Sequence, residues 1–116
     1  MNPLEETIQL KQLNMTLGYI RANLPRAELL AQLAEEGAEL THAALKLRRV
    51  IDGTNPTPVS LTDAVNALQE EVADVLLLIG VLNLDRDEES IEETMERKLL
   101  RWAERLKGKE KPKNEH

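Results

Sequence analysis

Six acidic residues lie inside two apolar stretches of the sequence, and their spacing suits the binding of a cation. They are Glu35, Glu36 and Glu39 in the first stretch, and Glu70, Glu71 and Asp74 in the second. Residues three or four positions apart share one face of a helix, so Glu36 pairs with Glu39 and Glu71 pairs with Asp74. Carboxylate oxygens are the ligands that Mg²⁺ and Mn²⁺ prefer. Two helices that face each other with these pairs would form a metal site.

The ordinary fate of glutamate on a helix is exposure to solvent beside a basic residue. That interpretation requires Lys or Arg three or four positions away. Around the first acidic group only His42 can become positively charged, and around Glu71 and Asp74 these positions are apolar. The local electrostatics are therefore repulsive, which favours a bound cation as the missing positive charge.

The chain should fold as one all-α domain, because apolar residues recur at helical spacing through most of the sequence. The predicted helices span about Leu4–Asn23, Arg26–Asp52, Ser60 or Thr62 to Leu84, and Ile91–Leu106. The first helix has a predicted apolar stripe of Ile8, Met15 and Tyr19, widened by Leu13, Leu17 and Ile20. Gly53 ends the second helix, and 85–90 is a predicted short connection. We expect one domain over 1–107 and a disordered basic tail over 108–116.

The third predicted helix is apolar around its whole circumference between Val75 and Leu82. Such a helix must be buried on all sides. One layer of helices in a chain of 116 residues covers one side of this helix well. The second side is most easily covered by another copy of the chain. We therefore expect a homo-oligomer with this helix near the interface.

Composition excludes several classes of partner. The net charge of −6 argues against a nucleic acid polymer or an anionic membrane surface. The most apolar window, Val75–Leu84, is about half the length of a membrane-spanning helix. The absence of cysteine excludes thiolate metal sites and fits a reducing compartment, and the first residues lack a secretory pattern. A cytoplasmic protein is expected.

The motif EEGAE, followed about thirty residues later by EVAD, resembles the signature of the all-α nucleoside triphosphate pyrophosphohydrolases, the MazG-like superfamily. A Pro/Gly loop joins the two motifs and ERKLLRW follows them, so the resemblance covers about residues 26–106. It implies a four-helix-bundle fold that assembles as a homodimer or homotetramer. It also implies Mg²⁺-dependent splitting of a nucleoside or deoxynucleoside triphosphate into the monophosphate and pyrophosphate, with Mn²⁺ as a possible substitute.

The resemblance assigns roles to particular residues. The residues that match the family's metal ligands are Glu36, Glu39, Glu71 and Asp74. Glu35 matches an accessory acid, either a further ligand or a group that orients the attacking water. Lys98 and Arg101 match basic residues that hold the phosphate chain, and the competing interpretation is an exposed helix with ion pairs.

Recognition of the base is unassigned at this stage. Trp102 suits either stacking on a base or packing in a core, and the core is the commoner fate. Asn14, Asn23 and Gln32 are polar candidates near the expected mouth of the site. Gly37 is interpreted as allowing a close approach by a ligand or a neighbouring helix.

Two alternative functions remain open, and a third is excluded. Phosphoribosyl-ATP pyrophosphohydrolases belong to the same superfamily and are poorly separated by sequence. A non-enzymatic helical interaction module would explain the apolar third helix but not the unpaired acids. Glu39 and His42 form the ExxH pattern of di-iron bundles, whose second copy is absent because the other histidine is His116.

Overall fold

The computed structural model of the chain describes residues 2–84 and 88–109, and within these ranges it contains four α-helices and no strand. The helices are α1 (Pro3–Asn23), α2 (Arg26–Asp52), α3 (Leu61–Val81) and α4 (Glu88–Lys109). The predicted all-α fold is confirmed. The chain divides into two compact units, one containing α1 to α3 and the other containing α4. Within the described ranges, each helix is too short or too polar to cross a membrane.

Local capping interactions explain where the first three helices begin. The Asn2 side chain accepts a hydrogen bond from the Glu5 backbone N–H at 2.9 Å, and the Glu5 carboxylate accepts one from the Asn2 N–H at 3.3 Å. This reciprocal pair is a capping box. Pro25 precedes α2, and the Ser60 hydroxyl accepts a hydrogen bond from the Asp63 N–H at 3.0 Å. The predicted start of α2 is confirmed, and Ser60, one of the two predicted starts of the third helix, is the N-cap of α3.

The helix ends match the prediction at Gly53 and differ after α3. Gly53 has a φ of 77°, a left-handed conformation that glycine adopts without steric cost, and α2 ends there as predicted. Helix α3 ends at Val81, because Asn83 takes a φ of 58°. The Leu84 N–H then donates to the Ile79 carbonyl at 3.1 Å, which closes a Schellman motif. The predicted continuation of α3 to Leu84 was therefore three residues too long.

Helix α4 is longer than predicted at both ends. It begins at Glu88 rather than Ile91, so residues 88–90 of the predicted connection are helical. It continues through Lys109, so the predicted disordered tail would begin inside the helix. Residues 85–87 and 110–116 lie outside the described part of the chain.

Helices α2 and α3 pack in an antiparallel arrangement over a small leucine-rich core. The buried members of this core are Leu29, Leu78, Val81 and Leu82, with Leu17, Ile20 and Leu33 packed against them. The start of α2 thus meets the end of α3, whereas Glu36 lies opposite Glu71 and Asp74 further along. The shared apolar cluster sets the register in which the acidic residues meet.

The buried face of α1 differs from the predicted stripe. Met15 is 71% exposed and Tyr19 is 70% exposed, whereas Leu17 and Ile20 pack against the core. The side chain of Ile8 lies outside the described part. Leu17 and Ile20, which were expected only to widen the stripe, are therefore the residues of α1 that pack, whereas the third widening residue, Leu13, is 55% exposed.

Two arginines attach α1 and the start of α2 to the end of α3. The Arg21 guanidinium donates to the carbonyls of Val81 at 2.8 Å and Gly80 at 3.0 Å. Arg26 donates to the Leu82 carbonyl at 3.2 Å. The last carbonyls of a helix carry partial negative charge and lack partners within the helix, so cationic donors stabilise this end.

Replacing Arg21 with methionine should therefore destabilise the chain by about 1–2 kcal/mol, the usual contribution of hydrogen bonds to a charged group that is partly exposed. Urea unfolding followed by circular dichroism measures this change. Lys11→Met on the same helix is the matched control, because Lys11 is exposed. An equal effect of both substitutions would show that the bonds to α3 contribute nothing to stability.

Candidate metal centre

Three carboxylates from two helices converge at the predicted acidic site. Glu36 of α2 meets Glu71 and Asp74 of α3, and their candidate ligand oxygens all lie within 4.8 Å of one another. In an octahedral Mg²⁺ site with bonds of about 2.0–2.1 Å, neighbouring ligand oxygens are about 3 Å apart and opposite ones about 4 Å apart. All three side chains offer carboxylate oxygens, the donors that hard divalent cations prefer. The three residues therefore fit a hard divalent cation.

The cluster perturbs the protonation of Glu36. Partial loss of solvent around this side chain raises its pKa above the ordinary value of 4.5, and the charges of Asp74 and then Glu71 raise the pKa further. A hydrogen bond to the Asp74 carboxyl group acts in the same direction, followed by the charge of Glu39. Each of these causes penalises an additional negative charge at this position. A cation at the cluster would reverse the penalty.

No basic side chain neutralises the three acids within the described part of the chain. The ion pair found there joins Lys107 to Glu104 on α4, with an N–O distance of 3.7 Å. Among residues 2–84 and 88–109, the acids of α2 and α3 form no ion pair with a basic side chain. The predicted metal remains a proposal.

The other acids of the two motifs lie outside this cluster. Glu35, Glu39 and Glu70 are exposed, and none of them is among the three converging groups. Glu39 is close enough to raise the pKa of Glu36. Its role as a fourth ligand and the accessory role of Glu35 stay predictions. His42 is also exposed and separate from the cluster, and His116 lies outside the described residues.

The predicted phosphate-binding residues lie on α4, in the second unit. Lys98 and Arg101 line a surface depression of about 370 Å³ together with Trp102 and Arg105. Arg105 was missed by sequence reasoning, although its spacing of four residues from Arg101 places both on one helix face. Trp102 is 64% exposed in the second unit.

An open cavity of about 550 Å³ lies beside the carboxylate cluster, between α1, α2 and α3. Glu36 and Asp74 belong to both the cluster and the cavity wall. Its remaining lining residues are Leu13, Thr16, Leu17, Ile20, Leu24, Leu29, Gln32, Leu77, Leu78 and Val81. Gln32 therefore lines the cavity, whereas Asn14 and Asn23 do not.

Gly37 makes no close approach to another helix in the described part of the chain. A methyl group added at this position would meet no atom within 4 Å. The predicted approach of a neighbouring helix is therefore absent among the residues that the structure describes. Space at this position remains open beside Glu36.

Comparisons with family models, curated proteins and solved structures found no match. The chemistry of the chain is therefore inferred from its residues and their geometry. Three unpaired carboxylates beside an apolar cavity combine a candidate cation site with a surface suited to an organic ligand.

Substitution of Glu36 by glutamine should raise the melting temperature of the metal-free protein at pH 7. The native pKa of Glu36 is raised, so the folded chain binds more protons than the unfolded chain and loses stability as pH increases from 4.5 through the native pKa. The advantage of the variant should therefore shrink as pH falls below 4.5, where the carboxyl group is neutral in both states.

Differential scanning fluorimetry with EDTA at several pH values measures this effect. Glu70→Gln is the matched control because Glu70 is exposed and outside the cluster. If Glu36→Gln melts at or below the wild-type temperature at pH 7, repulsion between Glu36 and its neighbouring carboxylates does not destabilise the metal-free protein.

Proposed function

We propose that this chain is a Mg²⁺-dependent pyrophosphohydrolase that converts a nucleoside or deoxynucleoside triphosphate and water into the monophosphate and pyrophosphate. The convergence of Glu36, Glu71 and Asp74 without a basic partner carries the proposal. The cavity beside these acids supports it, because a nucleotide needs space for its organic part. The MazG-like motif supplies the reaction type.

The proposed metal site consists of acidic residues of α2 and α3. Glu36, Glu71 and Asp74 would hold Mg²⁺, with Glu39 as a further ligand. The bound ion would lower the pKa of a coordinated water and neutralise charge on the triphosphate. Glu35 would act as an accessory acid that orients the attacking water or adds a ligand.

The phosphate chain requires positive charge from the protein as well. Lys98 and Arg101 line one depression on α4 and form no ion pair within the described residues. Free cations of this kind stabilise the charge that develops on a pyrophosphate leaving group. Water attack at the α-phosphorus breaks the α–β anhydride bond, pyrophosphate leaves, and the proton of the water passes to solvent.

The alternative functions lack a distinguishing observation in their favour. A phosphoribosyl-ATP pyrophosphohydrolase would use the same acids, and activity against that substrate would separate the two enzymes. An interaction module does not require three acids to meet without a counter-charge. A di-iron centre would require a second histidine ligand, and His42 lies outside the cluster.

Incubation with Mg²⁺ and a panel of nucleoside and deoxynucleoside triphosphates should release pyrophosphate. Removing a side chain that only orients a metal ligand reduces activity roughly 10-fold to 100-fold. Asp74→Asn changes a proposed ligand itself, so it should reduce kcat/KM at least about 100-fold. Glu71→Gln should do the same. A coupled assay specific for pyrophosphate, with circular dichroism as a test of folding, measures both effects.

Glu70→Gln provides the control for these variants, because it removes an exposed acid next to Glu71 and should retain activity within about twofold. Release of orthophosphate in place of pyrophosphate would identify a different scissile bond. Full activity of Asp74→Asn would exclude the cluster as the metal site.

The proposed enzyme would be a homodimer or homotetramer. Leu76 on α3 is 60% exposed, and Val72, one turn before it on the same helix, is also exposed. Monomeric proteins rarely leave contiguous apolar surface of this kind open to water. A second copy of the chain would cover it, in agreement with the predicted burial of the third helix.

Leu76→Glu should convert the assembly into monomers, since it places a charge at an apolar contact and leaves the leucine core of the chain untouched. Sedimentation velocity of the wild type and the variant measures this change. Gln69→Glu adds the same charge at an exposed polar position of α3 and should keep the wild-type mass. A monomeric wild type at micromolar concentration would refute the assembly.

A further inference from the structure

We propose that the cavity between α1, α2 and α3 binds the nucleoside part of the substrate and that the Gln32 amide reads the edge of the base. This inference rests on the proposed function for the location of the phosphate chain. It goes further by assigning a base site and a residue that determines specificity.

The position of the cavity fixes the orientation of a nucleotide in it. Glu36 and Asp74 belong to both the cation cluster and the cavity wall, so a phosphate chain at the cation would begin at the cavity's edge. The nucleoside that follows would lie against the leucine and isoleucine side chains. The volume of about 550 Å³ falls within the range of roughly 300–1,000 Å³ that is typical of small-molecule sites.

The chemistry of the wall suits a planar base. Leu17, Ile20, Leu29 and Leu78 provide apolar contacts from three helices, as the flat face of a base requires. A purely apolar ligand would leave Glu36 and Asp74 without a counter-charge. A ligand that carries phosphate and Mg²⁺ at one end and an apolar face at the other satisfies both parts of the wall.

Gln32 provides the polar group that such a site needs. Apart from the two acids, Gln32 and Thr16 are the polar residues of the lining, and the Thr16 hydroxyl already donates to the Gln12 carbonyl at 3.0 Å. The Gln32 amide forms no hydrogen bond within the described part of the chain. An amide offers a donor and an acceptor side by side, which matches the paired donor and acceptor on a base edge.

Gln32 lies one helical turn before Glu36 on the same helix. Residues four positions apart project from the same face, and one turn of helix rises about 5.4 Å. The base-reading amide and the metal-binding carboxylate therefore have a fixed spacing. This spacing would position the base relative to the phosphate chain.

Isothermal titration calorimetry with Mg²⁺ tests the inference without requiring turnover. The probes are four nucleoside 5′-monophosphates with different bases, and ribose 5-phosphate as the ligand that lacks a base. The wild type should bind its preferred monophosphate roughly tenfold or more tightly than ribose 5-phosphate, because the base buries apolar surface. Equal affinity for all five probes would overturn the inference.

Leu13→Trp fills the cavity from an exposed position on α1 and should reduce the affinity for the preferred monophosphate to that of ribose 5-phosphate. Met15→Trp adds the same ring on the same helix outside the cavity and should bind like the wild type. Equal binding by the two variants would exclude the base from the cavity.

Gln32→Leu should lower the affinity for the preferred base about tenfold and narrow the differences among the four bases, because one edge of the base loses its partner. Its affinity for ribose 5-phosphate should be unchanged. Gln69→Leu, at an exposed position of α3 outside the cavity, is the matched control. A uniform loss for all five probes would reject Gln32 as the specificity residue.

The pyrophosphate assay separates failure of this inference from failure of the proposed function. Base-dependent binding without pyrophosphate release would overturn the reaction and support the base site. Pyrophosphate release that is insensitive to Leu13→Trp and Gln32→Leu would overturn the base site alone.

Discussion

The structure depends on apolar packing between α2 and α3 that is strong enough to hold mutually repelling carboxylates together. Leu29, Leu78 and Val81 hold the start of α2 against the end of α3. The same register brings Glu36 against Glu71 and Asp74, where the carboxylates repel one another. Each large apolar side chain contributes about 1.5–3 kcal/mol when buried, which favours keeping the helices together despite the repulsion. The acids are thus held in place by residues about one to two helical turns away.

The elements of the fold could be predicted where a local signal marks them. The bounds of α2 follow from Pro25 and Gly53, and the start of α3 follows from Ser60. The end of α3 escaped prediction because Asn83 adopts a left-handed conformation that asparagine takes only in some contexts. The extension of α4 covers residues 107–109, which are two lysines and one glycine. Lysine favours a helix and glycine disfavours one, so helix propensity alone does not predict whether this segment is helical.

The buried face of α1 could not be read from its periodicity. Two apolar stripes fit helical spacing on this helix, and the choice between them depends on which one meets α3. Leu17 and Ile20 pack, and Arg21 beside them donates to the last carbonyls of α3. A stripe centred on Met15 would have turned this guanidinium away from those carbonyls. A polar contact between distant segments therefore selects the apolar face, and such contacts leave no periodic signal.

The sequence predicts that the candidate site consists of carboxylates, but it predicts only part of their geometry. An acid pair on each helix without basic neighbours predicts that carboxylates meet, and the structure brings one acid of α2 to two of α3. The register of α2 against α3 decides whether Glu36 or Glu39 lies opposite the acids of α3. The sequence leaves this register undetermined by about one helical turn. The apolar cavity depends on the same register, because its wall includes Leu29 and Glu36 of α2 and Asp74 and Leu78 of α3. A shift of one turn between the helices would separate the acids and remodel the cavity together, so the carboxylate cluster and the cavity depend on a single packing arrangement.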